Sequence, residues 1–143
     1  MTRRPTGARG GVCVNGRTAR HGFLLAVIDA DDDLHAECAA ALVSEPNPLL
    51  PDVVLPELAY LILRELGYPT LATFLRSTAA GELVQAQSIP QDLARAAELL
   101  EKYADNRVDF VDCAIVAIAE RLRLTKVLTV DRRHFTVFRP KHC

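Results

Sequence analysis

Residues 111–131 read VDCAIVAIAERLRLTKVLTVD. The first twelve are apolar nearly all round, which predicts a buried helix over Val111–Leu122. Lys126–Val130 (KVLTV) then reads as a short central-type strand, ended by Asp131. Working outward, the same alternation recurs. Pro90–Ala104 predicts an amphipathic helix with Leu93, Ala97, Leu100 and Ala104 on one face. Glu82–Ile89 reads as a strand, Pro69–Ala80 as a helix, and Val53–Leu66 as a buried helix stopped by Gly67. Leu49–Leu50 is a short strand, and Thr136–Phe138 a final edge strand. Phe23–Ala30 and Leu34–Ser44 are two short helices split by the acidic turn Asp31-Asp32-Asp33. Short strands alternating with helices predict an α/β domain with a mainly parallel sheet. The chain has no internal repeat.

The chain has 143 residues, half of them hydrophobic and 24% charged, with a formal net charge of −1. This is a one-domain length of ordinary globular composition. A polycationic nucleic-acid coat is excluded, so any nucleic-acid contact must come from a local patch. No apolar run approaches the roughly 18 residues of a membrane span, and the N-terminus carries no secretory signal pattern. Cys13, Cys38, Cys113 and Cys143 lie far apart without a CxxC pair. They read as reduced thiols, Cys38 and Cys113 as small buried hydrophobes, and point to the cytoplasm.

The two ends differ from the middle. Residues 1–22 hold five of the seven glycines and five arginines, with no acid. Such a stretch is expected to be a disordered leader, with the folded unit spanning 23–143. All 18 acids fall in that unit, with 12 of the 17 basic residues, for a net charge of −6. From Arg121 to Cys143 there are seven basic residues and one acid, Asp131. That is a candidate basic rim for phosphates.

Three acids have apolar neighbours: Glu57 in VVLPELAYLIL, Asp112 in DFVDCAIVAIA, and Asp131 after KVLTV. A buried, ionised carboxylate must be paired, metal-bound or protonated. In parallel α/β folds functional groups collect at the carboxyl ends of strands, where Asp131 falls. Several carboxylates meeting there need a cation between them. All-oxygen ligands suit Mg²⁺ or Mn²⁺, and such an ion between carboxylates is suited to phosphodiester hydrolysis. Asp109 is either the N-cap of the Asp112 helix or a further acid on the same face.

Three segments, LPELAYLILRELG (Leu55–Gly67), AAELLEKYADNRVDFVDCAIVAIAERL (Ala96–Leu122) and KVLTVDRRHFTVFRP (Lys126–Pro140), together resemble PIN-domain ribonucleases, in particular VapC-type toxins of bacterial toxin–antitoxin pairs. The resemblance covers about residues 23–140. It implies a PIN-like three-layer α/β/α fold and a Mg²⁺- or Mn²⁺-dependent endoribonuclease. It also implies an RNA substrate, a VapB-like antitoxin that covers the site, and a homodimer. Carried over by position, Glu57, Asp112 and Asp131 are the metal-holding catalytic acids. Asp109, Thr129, Arg133 and His134 are auxiliary, Thr129 steadying the cluster and Arg133 and His134 meeting a phosphate. One feature departs from the family. Its first motif, an apolar strand ending in aspartate, should end near Arg20, where neither strand nor acid is legible. The composition break at Gly22 predicts that residues 1–22 are not the family's usual start. The alternative function is a PIN-like module that binds its antitoxin without cutting RNA. A phospho-accepting pocket at Asp31–Asp33 is disfavoured, because no apolar strand precedes those acids.

Overall fold

The computed structural model describes residues 11–13, 23–44, 48–124 and 126–128. Strand β1 (Gly11–Cys13) is followed by helices α1 (Phe23–Ile28) and α2 (His35–Val43), then by β2 (Leu49–Pro51). A 3-10 turn (Asp52–Val54) leads into α3 (Leu55–Leu66), and α4 (Tyr68–Ala79) and β3 (Val84–Ala86) follow. Helix α5 (Pro90–Lys102), a second 3-10 turn (Ala104–Asn106), α6 (Phe110–Leu122) and β4 (Lys126–Leu128) complete the order. The sheet order is β3-β2-β1-β4. Every pairing is parallel, with Val12 opposite Leu49 and Val127, and Leu49 opposite Val84. All four carboxyl ends therefore share one edge of the sheet. The α/β class expected from the alternation is the one observed.

One sheet element was not legible in the sequence. No strand is expected before Phe23, yet β1 occupies an interior position between β2 and β4. Gly-Val-Cys is too short to alternate visibly, and the surrounding glycines and arginines mask it. Its ladder with β4 and β2 supplies the hydrogen bonds that local propensity does not promise. The expected strand at Thr136–Phe138 lies outside the described residues.

Local chemistry explains the helix limits. The segment read as one helix from Val53 splits at Leu55, and Pro56 sits in the first turn of α3, where a missing N–H costs nothing. Gly67 has φ +87° and ψ 177° and joins α3 directly to α4. Its N–H bonds back to the carbonyls of Ile62 and Leu63, a left-handed stop that favours glycine. The acidic turn between α1 and α2 is held by its own carboxylates: Asp29 accepts from the N–H of Asp31 at 3.0 Å, and Asp32 from that of Leu34 at 2.8 Å.

Helix α6 is the centre of the molecule. Residues 112–119 are all buried. Ile115 and Ala119 pack into the main core with Leu24, Leu50, Leu58 and Ile62. Cys113 and Val116 pack into a second cluster with Ala96, Leu99 and Tyr103. Helix α5 is rotated by about one residue from the sequence expectation. Its buried positions are Asp92, Ala96 and Leu99, while Leu93 is 52% exposed and Ala97 and Ala104 face solvent. The cause is polar. Asp92 accepts from the N–H of Ile89 at 2.9 Å, and the Arg121 guanidinium donates to both its oxygens at 2.9 to 3.1 Å. Arg121 also donates to the Gln87 carbonyl at 2.8 Å. A second pair, Arg95 with Glu120, donates through Nε at 2.8 Å and Nη2 at 3.0 Å. Two ion pairs thus fasten α5 to the far end of α6.

Removing one partner of such a pair strands the other in a poorly hydrated place. Arg121→Ala should therefore destabilise the fold by about 3 kcal/mol, because Asp92 stays buried. Urea denaturation of the two proteins measures the difference.

Candidate functional site

Of the three candidate metal-holding acids, the two among the described residues, Glu57 and Asp112, each sit in the first turn of a helix. Glu57 is half-buried in the first turn of α3. Asp112 is 5% exposed in the first turn of α6, with its Oδ2 sealed from solvent. Helix N-termini carry partial positive charge, so the dipole offsets part of the cost of holding each carboxylate ionised. Asp109 is the N-cap of α6: its Oδ1 accepts from the N–H of Asp112 at 2.8 Å. The cap fixes the backbone at Asp112.

The two helices share a core. Leu58, next to Glu57, and Ile115, one turn after Asp112, belong to the same apolar cluster. The 3-10 turn before α3 packs against α6. Asp52 in that turn accepts from Ser88 twice, from N–H at 2.9 Å and from Oγ at 2.6 Å. This joins the end of β2 to the approach to α5 across 36 residues, which no local sequence signal announces. Asp131, Thr129, Arg133 and His134 lie outside the described residues. Among the described residues, no group of three or more His, Cys, Asp or Glu side chains is arranged to hold a metal. What the described part offers is a buried hard-oxygen donor, Asp112, and a second carboxylate, Glu57. That donor chemistry fits Mg²⁺ or Mn²⁺ and not a thiophilic metal.

The Cys113 thiol, fully buried, has its pKa pushed up to about 11, first by burial and then by Asp112 and Asp109. Cys38 is raised too, chiefly by burial, with Asp32 and Glu37 adding to it. Both thiols are free and buried, as read from their apolar settings. Of the acids at Asp31–Asp33, Asp32 serves the turn already described through its carboxylate and Asp31 through its N–H.

A family model described as the PIN domain matches residues 22–139. Its match begins after β1, so a segment outside the family's recognisable sequence fills the middle of the sheet. A relative, "Ribonuclease VapC26" from Mycobacterium tuberculosis (strain ATCC 25618 / H37Rv), is 35% identical over 118 residues, covering 82% of this chain and 87% of that protein. The fold matches a crystal structure of Mycobacterium tuberculosis VapC20, described as a sarcin–ricin loop cleaving toxin, with a TM-score of 0.74. That match is 17% identical and covers 91% of this chain and 98% of the other. Among the described residues no helix is long and apolar enough to cross a membrane.

Two outcomes follow from this geometry. Asp109→Ala should cost about 1 kcal/mol by leaving the first turn of α6 uncapped, and Asp109→Ser should recover most of it; thermal melts of both variants test this. Cys113 should resist iodoacetamide even at pH 9.5, because the thiol is fully buried, and that burial also pushes its pKa up to about 11. Peptide mass mapping should find it alkylated only after unfolding in urea. The 35% identity and the PIN match over most of the chain place it: the protein belongs to the PIN-domain family, in its VapC-type ribonuclease branch.

Proposed function

We propose that the protein is the toxin of a type II toxin–antitoxin pair, a Mg²⁺- or Mn²⁺-dependent endoribonuclease that hydrolyses RNA phosphodiester bonds. The observation that carries this reading is the 35% identity to a ribonuclease over most of both chains. The placement of Asp112, a nearly buried carboxylate at the head of α6, supports it.

In this reading Glu57, Asp112 and Asp131 hold the ion. When bound, a hard divalent ion makes a coordinated water more acidic and offsets charge at the phosphate. The chain's own part is positioning. Asp109 holds the N–H of Asp112 and so fixes where its carboxylate begins. The packing of residues 112–119 leaves that carboxylate little freedom to swing away. The Asp52–Ser88 bonds set the turn from which α3 and Glu57 start. Thr129 steadies the acid cluster, and Arg133 and His134 meet the phosphate. The partners are RNA, a VapB-like antitoxin and a second copy of the chain, and the setting is the cytoplasm.

A second reading is favoured by one observation. The family match starts at residue 22, and residues 1–22 contain no acid to serve as the first-motif aspartate. In this reading the chain binds its antitoxin without cutting RNA. Calorimetric titration with Mn²⁺ separates the two: stoichiometric binding supports the nuclease, and no heat supports the binding module. For the nuclease, EDTA should stop RNA cleavage and excess Mg²⁺ should restore it. Asp112→Asn should cost more than the roughly 100-fold typical of losing an outer-shell group, with its thermal melt close to that of the parent. A variant that cuts RNA as fast as the parent would remove Asp112 from the site.

A further inference from the structure

Between the start of α5 and the finish of α6 lies a cavity of about 540 Å³, a volume within the range of small-molecule sites. It is away from the candidate acids. Arg121, on its wall, follows Asp112 along α6 by roughly 13 Å of helix axis. Ile89 and Ala117 give the cavity an apolar lining, and Arg95, Arg121 and Arg123 bring three guanidiniums to it.

Two of these cations are held by carboxylates that also line the cavity. Glu120, its side chain 9% exposed, holds Arg95, and Asp92, at 3%, holds Arg121. Those pairs fasten α5 to α6 and need no ligand. They leave two features unexplained. Arg121 bonds through Nε and Nη2, and among the described residues its Nη1 has no acceptor. Arg123 is exposed, and among the described residues its guanidinium has no hydrogen bond or ion pair. Its backbone is left-handed, with φ 55° and ψ 41°, at the end of α6. Glycine would adopt that conformation with less steric cost. The chain instead keeps a long cation there, on the cavity wall.

We propose that this cavity binds a small organic oxyanion, a carboxylate or phosphate monoester on an apolar body, held by Arg123 and the Nη1 edge of Arg121. A guanidinium matches both anions with paired N–H donors. Arg121 is already fixed by Asp92, so it loses little freedom on binding. Ile89 and Ala117 receive the apolar body. A nucleic acid would call for cations spaced along a track, and a protein partner for a broad apolar patch. Here a single cavity joins one unpaired cation to an apolar lining.

The test titrates the full chain, without added metal, with benzoate, phenyl phosphate and inorganic phosphate, read by amide chemical shifts and by Tm. One or both organic anions should bind saturably, shift the amides of Gln91, Ala117 and Arg123 but not that of Asp112, and raise Tm with concentration. The benzoate and phenyl phosphate arms tell carboxylate from phosphate. Inorganic phosphate, lacking the apolar body, should bind at least about tenfold more weakly. Arg123→Gly relaxes the backbone, so its Tm should equal or exceed that of the parent while binding weakens about tenfold. Arg123→Lys should keep part of the affinity. Arg107→Gly is the matched control, since Arg107 is also exposed and left-handed but lies past the other end of α5; it should bind as the parent does. The proposal fails if neither organic anion saturates these shifts, or if Arg123→Gly binds as tightly as the parent. It also fails if Arg107→Gly loses as much as Arg123→Gly, which would reduce the effect to diffuse charge, or if inorganic phosphate binds as well as the organic anions. None of these outcomes bears on the nuclease reading, because no candidate acid and no metal enters the measurement.

Discussion

Helix α6 has no solvent face from Asp112 to Ala119, and the rest of the molecule is arranged around that fact. One side closes against the main core of α1, β2 and α3, the other against α5. A helix enclosed this way cannot shift without opening close-packed contacts on both sides. Its two ends are also fixed by polar means. The Asp109 carboxylate caps the start, and Arg121 and Glu120 bind Asp92 and Arg95 of α5 near the finish. Asp112 therefore sits on one of the best-held backbones in the fold.

This rigidity changes the account of the carboxylates. An ionised group among Val, Cys and Ala is costly in isolation. The structure lowers that cost locally, because Glu57 and Asp112 both lie at the positive ends of helices. The same charge is felt nearby, where Asp112 and Asp109 help to keep the Cys113 thiol protonated. In the sequence, apolar neighbours mark out Glu57 and Asp112 but not Asp92, the more deeply buried carboxylate at 2% exposure. Asp92 lies in a stretch with polar and charged neighbours, and its partner Arg121 is 29 residues away. Burial among residues distant in sequence leaves no local trace.

The sheet shows the same division. Parallel strands depend on partners supplied by remote segments. The two flanks of β1 were readable, β2 from Leu49–Leu50 and β4 from KVLTV, but β1 itself was not. Three residues in a Gly/Arg-rich context acquire strand geometry because β2 and β4 leave a place between them.

The sequence alone determined the α/β alternation, the PIN-type resemblance, the buried character of α6 and the candidacy of Glu57 and Asp112. Each is written in periodicity, or in a charge set within a run of apolar neighbours, which are properties of consecutive residues. Only the tertiary structure decided the interior place of β1, the rotation of α5 that buries Asp92 and exposes Leu93, and the Asp52–Ser88 link. Those outcomes depend on hydrogen bonds between residues far apart in the chain, whose geometry no window of consecutive residues contains.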